Sequence, residues 1–178
     1  LGDILGIGNS LHNIASVYGD KGDYDKALGY YERALAMLEE IGYKRGLVFT
    51  FNSIGIMYYN KADYGKAMKY LEKSLSIQKD TVLKPMELET TTYFCLTYKH
   101  LNKEYDAKNI YSLIKEARET KFCQNYRLYQ LLEKTSYLET AYNQVQVKVS
   151  AMEDGAKFLS CPIPKAIIKE YNKVFKIK

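Results

Sequence analysis

The chain has no tryptophan, three prolines and two histidines in 178 residues. No proline precedes Pro85, so nothing in the first half forbids long helices. The histidines, His12 and His100, are too few and too far apart for a metal site or a Cys–His pair. The cysteines, Cys95, Cys123 and Cys161, are odd in number and form no CxxC pair, which excludes a structural zinc site and a thioredoxin-like motif. They read as small apolar packing residues in a reducing compartment, which points to a cytoplasmic protein. No run of eighteen apolar residues is present and no signal-peptide pattern opens the chain, so no membrane span or secretion is expected. The first residue is Leu1 rather than Met, which reads as a segment of a longer polypeptide.

What is abundant is apolar side chain, at 47%, enough to build a core. The net charge of +5 is mild for a nucleic-acid binder, and it is uneven. From Pro162 onward the chain carries five lysines against the single Glu170. Sliding the sequence against itself by 40 residues exposes its organisation. Gly2, Gly6, Ile14, Tyr18, Lys21, Asp23, Tyr24, Lys26, Ala27, Tyr30, Glu32 and Leu35 recur. Their copies are Gly42, Gly46, Ile54, Tyr58, Lys61, Asp63, Tyr64, Lys66, Ala67, Tyr70, Glu72 and Leu75. A weaker third copy follows in register, with Tyr98 after Tyr58, Ala107 after Ala67 and Tyr111 after Leu71. A fourth is suggested by Ala141 and the helical apolar spacing from Tyr126 to Tyr142. The units are expected at about 7–42, 47–82, 87–120 and, degenerate, 125–158.

Each unit reads as two helices. In the first, Leu11, Ile14, Ala15 and Tyr18 form one apolar stripe. Gly22 supplies the break and Asp23 can cap the next helix, which begins near Tyr24. That helix turns Ala27, Leu28, Tyr31, Ala34 and Leu35 inward, with Gly42 and Gly46 loosening the connection to the next unit. Gly6-Ile7-Gly8 lacks the third glycine and the preceding strand of a phosphate loop, and reads as an inter-unit turn. Glu39 and Glu40 have no partner acid, so no catalytic constellation is found and no enzyme activity is expected.

Ala15, Tyr18, Gly22, Tyr24, Ala27, Tyr31 and Ala34 stand at a spacing that resembles the tetratricopeptide repeat signature, in its 40-residue variety. The resemblance is specific from Leu1 to about Asp80, partial to Lys115 and poor beyond. It departs at Leu11, where an aromatic is common, and in lacking a unit-closing proline before Pro85. It implies an all-α fold: a right-handed superhelical array of antiparallel helix pairs, an α-solenoid over 1–160, with a C-terminal capping helix over 161–178. Because Gly2 and Gly6 align with the tail of a unit, the array is expected to have continued upstream.

In such arrays the first helices line a concave groove. By the same spacing the groove positions are Asn9, His12, Asn13, Ser16, Gly19 and Asp20 in unit one. In unit two they are Phe49, Asn52, Ser53, Ile56, Tyr59 and Asn60, and in unit three Glu89, Thr92, Tyr93, Leu96, Lys99 and His100. The resemblance therefore implies a module that binds a protein or peptide partner, with no cofactor and no metal. An alternative is a regulatory sensor segment of a larger signalling protein, fused to or controlling a kinase, cyclase or transcription regulator. Co-chaperone members grip a C-terminal carboxylate with cations on these helices. Here His12, Ser16, Glu89 and Tyr93 stand at the matching positions, so that ligand is disfavoured. Most of the 18 tyrosines fall at packing positions such as Tyr18, Tyr24, Tyr58 and Tyr64, leaving nucleic acid a minor reading. Self-association through exposed array ends stays open.

At the C-terminal end, Pro162 and Pro164 announce a new element, with Ile167, Ile168, Tyr171, Val174 and Phe175 on one stripe and Lys169, Lys173 and Lys176 opposite. Three readings stand: a capping helix, the first helix of a truncated unit, or a basic amphipathic segment for membranes or nucleic acid.

Overall fold

The computed structural model describes residues 2–79, 84–117 and 119–176. Leu1, the end of the second expected unit at 80–82 and residues 177–178 of the expected terminal helix lie outside the described residues. The fold is all-α, and no strand occurs among the described residues. In chain order the helices are α1 (Gly2–Asp20), α2 (Tyr24–Glu40), α3 (Lys44–Asn60), α4 (Tyr64–Lys79) and α5 (Lys84–His100). Then follow α6 (Lys108–Glu116), α7 (Phe122–Leu132), α8 (Thr135–Ser150), α9 (Gly155–Ser160) and α10 (Pro162–Val174). Two compact units divide the chain: residues 1–19 with 23–116, and residues 117–178 with 20–22.

Within the first unit, helices pack on their neighbours in chain order, α2 on α3, α3 on α4, α4 on α5 and α5 on α6, as in a helical-repeat solenoid. The duplication is visible in the turns. Asp23 caps α2 by accepting from the Lys26 backbone N–H at 3.4 Å, and Asp63 accepts from the Lys66 N–H at 3.2 Å. The residue before each cap is left-handed, Gly22 at φ 84° and Ala62 at φ 60°, and Asn102 repeats the geometry at φ 52°. The third copy then slips. Its capping position is Lys103, which offers no acceptor, and the next helix begins only at Lys108, where Asp106 accepts the Lys108 N–H at 2.8 Å. Ala107 is therefore outside α6. Tyr111, expected to follow buried Leu71, is 43% exposed while Ile110 is buried in its stead. The third copy holds register through α5 and loses it at α6.

Three glycine expectations need correction. Gly6 and Gly8 lie inside α1 and Gly46 inside α3, not in inter-unit turns. A Cβ at Gly8 would stand 3.2 Å from Leu38 Cδ2, and one at Gly46 would stand 2.6 Å from Tyr43 Cδ1 and 3.0 Å from Leu38 Cδ2. These glycines let α1 and α3 approach α2, which ordinary side chains would prevent. Gly55 does the same for α3 and α4, with Leu71 Cγ 2.7 Å from where its Cβ would be.

The core of the repeat holds Ala15, Ala27, Leu28, Tyr31, Ile54 and Met57, closed by half-buried tyrosines such as Tyr18, Tyr24 and Tyr58. Of the inner residues expected on α2, Ala27, Leu28, Tyr31 and Ala34 are buried, whereas Leu35 is only half-buried and Leu38 completes the face. Leu11 and Ala15 of α1 are buried too, but Ile14 is 42% exposed.

The second unit has its own core of Tyr126, Leu138, Ala141, Val145 and Ile167. α7 and α8 form a helix pair closed by left-handed Glu133 at φ 58°, and α10 packs on α8, α9 and α7. Pro162 stands in the first turn of α10, where a missing N–H costs nothing. Ile167 is fully buried, Tyr171 stacks on Tyr142 with centroids 3.8 Å apart, and the Tyr129 hydroxyl donates to Glu170 Oε1 at 3.2 Å. Lys169, Lys173 and Lys176 face away from this core and are exposed.

Candidate functional site

The forty-residue period brings equivalent faces of α1, α3 and α5 side by side. Polar side chains tie each first helix to the next. His12 Nδ1 of α1 lies 3.2 Å from Thr50 Oγ1 of α3. Asn52 Nδ2 of α3 donates to Glu89 Oε2 of α5 at 3.0 Å. The Tyr59 hydroxyl lies 3.1 Å from His100 Nε2. Aromatic edges reinforce the last rung: Tyr59 meets Tyr93 at 5.2 Å, and His100 stacks on Tyr64 at 4.5 Å. His12 sets its ring edge-on to Tyr31 at 5.0 Å. Burial holds the His12 imidazole below its ordinary pKa, favouring the neutral ring.

The expected groove residues divide by this geometry. Asn9 and Asn13 are exposed, and Ser16, Phe49, Ile56, Asn60 and Lys99 are half-buried along the same helices. The Arg45 guanidinium sits 5.8 Å from the Phe49 ring centroid. Asn52, Tyr59, Thr92 and Tyr93 are instead buried, so the structure places them among the helix contacts. Thr92 Oγ1 donates to the Leu88 carbonyl at 2.6 Å, a bond within its own helix. Of the neighbouring positions, Gly19 and Leu96 are also buried, while Asp20 and His100 are exposed.

Sequence reasoning missed a buried polar chain beside this face. Ser74 Oγ donates to the Val48 carbonyl at 3.0 Å, and Gln78 Nε2 donates to Ser74 Oγ and to Thr90 Oγ1, each at 3.0 Å. Thr90 Oγ1 donates onward to the Met86 carbonyl. The signal lay in the duplication: Ser74 and Gln78 stand where the first unit has Ala34 and Leu38. Two polar residues replacing two core residues in a repeat copy predict a hydrogen-bonded pair, because neither is tolerated alone.

Among the described residues, no three His, Cys, Asp or Glu side chains converge on a point that could hold a metal ion. Nor is any described helix long and apolar enough to cross a membrane. Cys95 is buried, and that burial pushes its thiol up to about 11, the opposite of a reactive cysteine.

No curated protein matches the chain. Residues 6–80 match the family model described as Tetratricopeptide repeat, a span that takes in most of α1 and all of α2, α3 and α4. By that match and by the duplicated helix pairs that fill it, residues 6–80 are similar to tetratricopeptide repeats.

Proposed function

We propose that this chain binds a protein or peptide segment along the face formed by α1, α3 and α5. Tetratricopeptide repeats generally mediate protein–protein interaction. The observation that carries the reading here is the division of labour on the first helices. His12, Asn52 and Tyr59 tie the helices together, while Asn9, Asn13, Ser16, Ile56 and Asn60 keep exposed or half-exposed side chains on the same helices. A pre-tied wall loses little conformational freedom when a ligand arrives, which favours affinity. Amide and hydroxyl side chains suit the N–H and C=O groups of a peptide backbone, and Ile56 and Phe49 add apolar contact. α10 serves as the cap on α7 and α8 rather than as part of the binding face. The free cysteines Cys95, Cys123 and Cys161 support a cytoplasmic location, where thiols are kept reduced.

The test is a display selection of random peptides on the full chain, followed by fluorescence anisotropy on those recovered. Placing arginines at two exposed positions, Asn9→Arg with Asn13→Arg, is expected to weaken binding about tenfold or more while leaving the circular dichroism unchanged. Peptides that bind the double variant as tightly as the parent would show that the face is not used.

A further inference from the structure

The net charge of +5 is not shared along the chain. Residues 1–116 hold fifteen lysines and arginines against fifteen acids, whereas residues 117–178 hold eleven against six. A charge that is mild over the whole molecule is therefore concentrated in its C-terminal part. The helices there are poorer still in acids: α7, α8, α9 and α10 carry only Glu139 and Glu170 against six cations.

α10 arranges three of those cations in a row. Lys165, Lys169 and Lys173 fall within about 80° of its circumference and stand about 6 Å apart along its axis. Fully buried Ile167 lies about 160° around the helix from the centre of the row, so the row faces away from the core of this unit. All three lysines are exposed. Among the described residues, Lys165 and Lys169 meet no carboxylate at ion-pair distance. Lys173 Nζ lies 3.8 Å from Glu170 Oε1, an oxygen that already accepts from the Tyr129 hydroxyl.

The chemistry of the row narrows its occupant. Ile163, Ile167, Ile168, Tyr171 and Val174 all pack into the core, so α10 keeps no apolar stripe for a bilayer or a partner helix. Ammonium groups are point charges without the forked geometry that reads a single carboxylate. A single file of them suits a linear polyanion, whose condensed counterions are released on contact. Each strand of a DNA duplex presents one phosphate per about 3.4 Å of axis, so successive lysines can meet about every second phosphate. We infer that the Lys165–Lys169–Lys173 row of α10 binds the phosphate backbone of nucleic acid without reading its sequence. It shares no residue with the peptide-binding face of α1, α3 and α5.

The experiment titrates the full chain into a labelled DNA duplex of about 20 base pairs and reads fluorescence anisotropy at several salt concentrations. Three phosphate contacts predict a slope of log K against log salt of about −2.7, with Kd on the order of 10 µM at 25 mM salt and about a hundredfold weaker at 150 mM. The triple variant Lys165→Gln, Lys169→Gln, Lys173→Gln should lose at least tenfold at 25 mM and flatten the slope to less than about 1 in magnitude, with unchanged circular dichroism. A control that removes the same charge from exposed positions elsewhere, Lys44→Gln with Lys108→Gln and Lys115→Gln, should stay within about threefold of the parent. Absent binding at 25 mM, a triple variant that binds as the parent does, or a control that loses as much would each overturn the proposal. So would equal affinity at the same salt for a poly-glutamate peptide or for phosphatidylserine vesicles, since the occupant would then be an acidic protein segment or a membrane surface.

Discussion

α1 and α3 were written from the same pattern and ended in different surroundings. Ile14 and Ile54 occupy the same repeat position, yet one is 42% exposed and the other has no exposed surface. The helices do not differ in their amphipathic logic; they differ in having a helix pair on one side. α3 is flanked by α2 and α4, whereas Ile7, Ile14 and Val17 of α1 stay 47%, 42% and 52% exposed. Burial in a stacked array is thus a property of the neighbours as much as of the residue.

That comparison is broken most directly by shortening the two isoleucines. Ile54→Ala should cost about 2–5 kcal/mol, since the cavity opens between α2 and α3 where neither can collapse. Ile14→Ala should cost about 1 kcal/mol or less, because that side chain is already 42% exposed. Chemical denaturation of both variants checks the pair. Similar midpoints would show that the exposure difference has no energetic consequence.

The second contrast is His12 against Asn52, equivalent positions of which only one titrates. The His12 pKa in the folded chain lies below the ordinary 6.5, through burial. The unfolded chain therefore takes up the proton first as pH falls. Stability is fully present above about 6.5 and is lost as pH drops from there through the lowered folded value. Thermal melts at pH 7.5 and 5.5 should show a fall for the parent that is reduced in His12→Asn, which copies unit two. An equal fall in both would assign the acid sensitivity elsewhere.

The smallest effect concerns the turns. Gly22 and Ala62 stand in the same left-handed position, and only the alanine carries a Cβ there. Ala62→Gly should raise stability by about 0.5–1 kcal/mol, visible as a higher denaturation midpoint. No gain would mean that the added freedom of glycine in the unfolded chain offsets the relief.

Much of the fold was legible in advance, for physical reasons. Asp23 and Asp63 announce helix starts because a short acceptor must precede unpaired N–H groups. Ala27 and Ala34, with Tyr31, mark a face that meets other helices closely. The slip of the third copy was legible too, in Lys103 standing where a cap is needed, although Tyr98 and Tyr111 drew attention to the period instead. The candidate site was legible only as a set of positions. Which of them stay open depends on whether the next first helix offers a partner, as Thr50 does to His12 and Glu89 to Asn52. Hydrogen bonds that span 37–41 residues cannot be read from the local pattern around either end.

The sequence by itself determined the forty-residue repeat, the helix pairs of units one and two and their turns, because spacing, caps and small residues act within one or two turns of chain. Only the tertiary structure decided that Gly6, Gly8 and Gly46 are helical, that Ile14 is partly exposed, and that Asn52, Tyr59, Thr92 and Tyr93 are buried. Those outcomes depend on which surface arrives from a distant part of the chain, and burial is decided by that arrival.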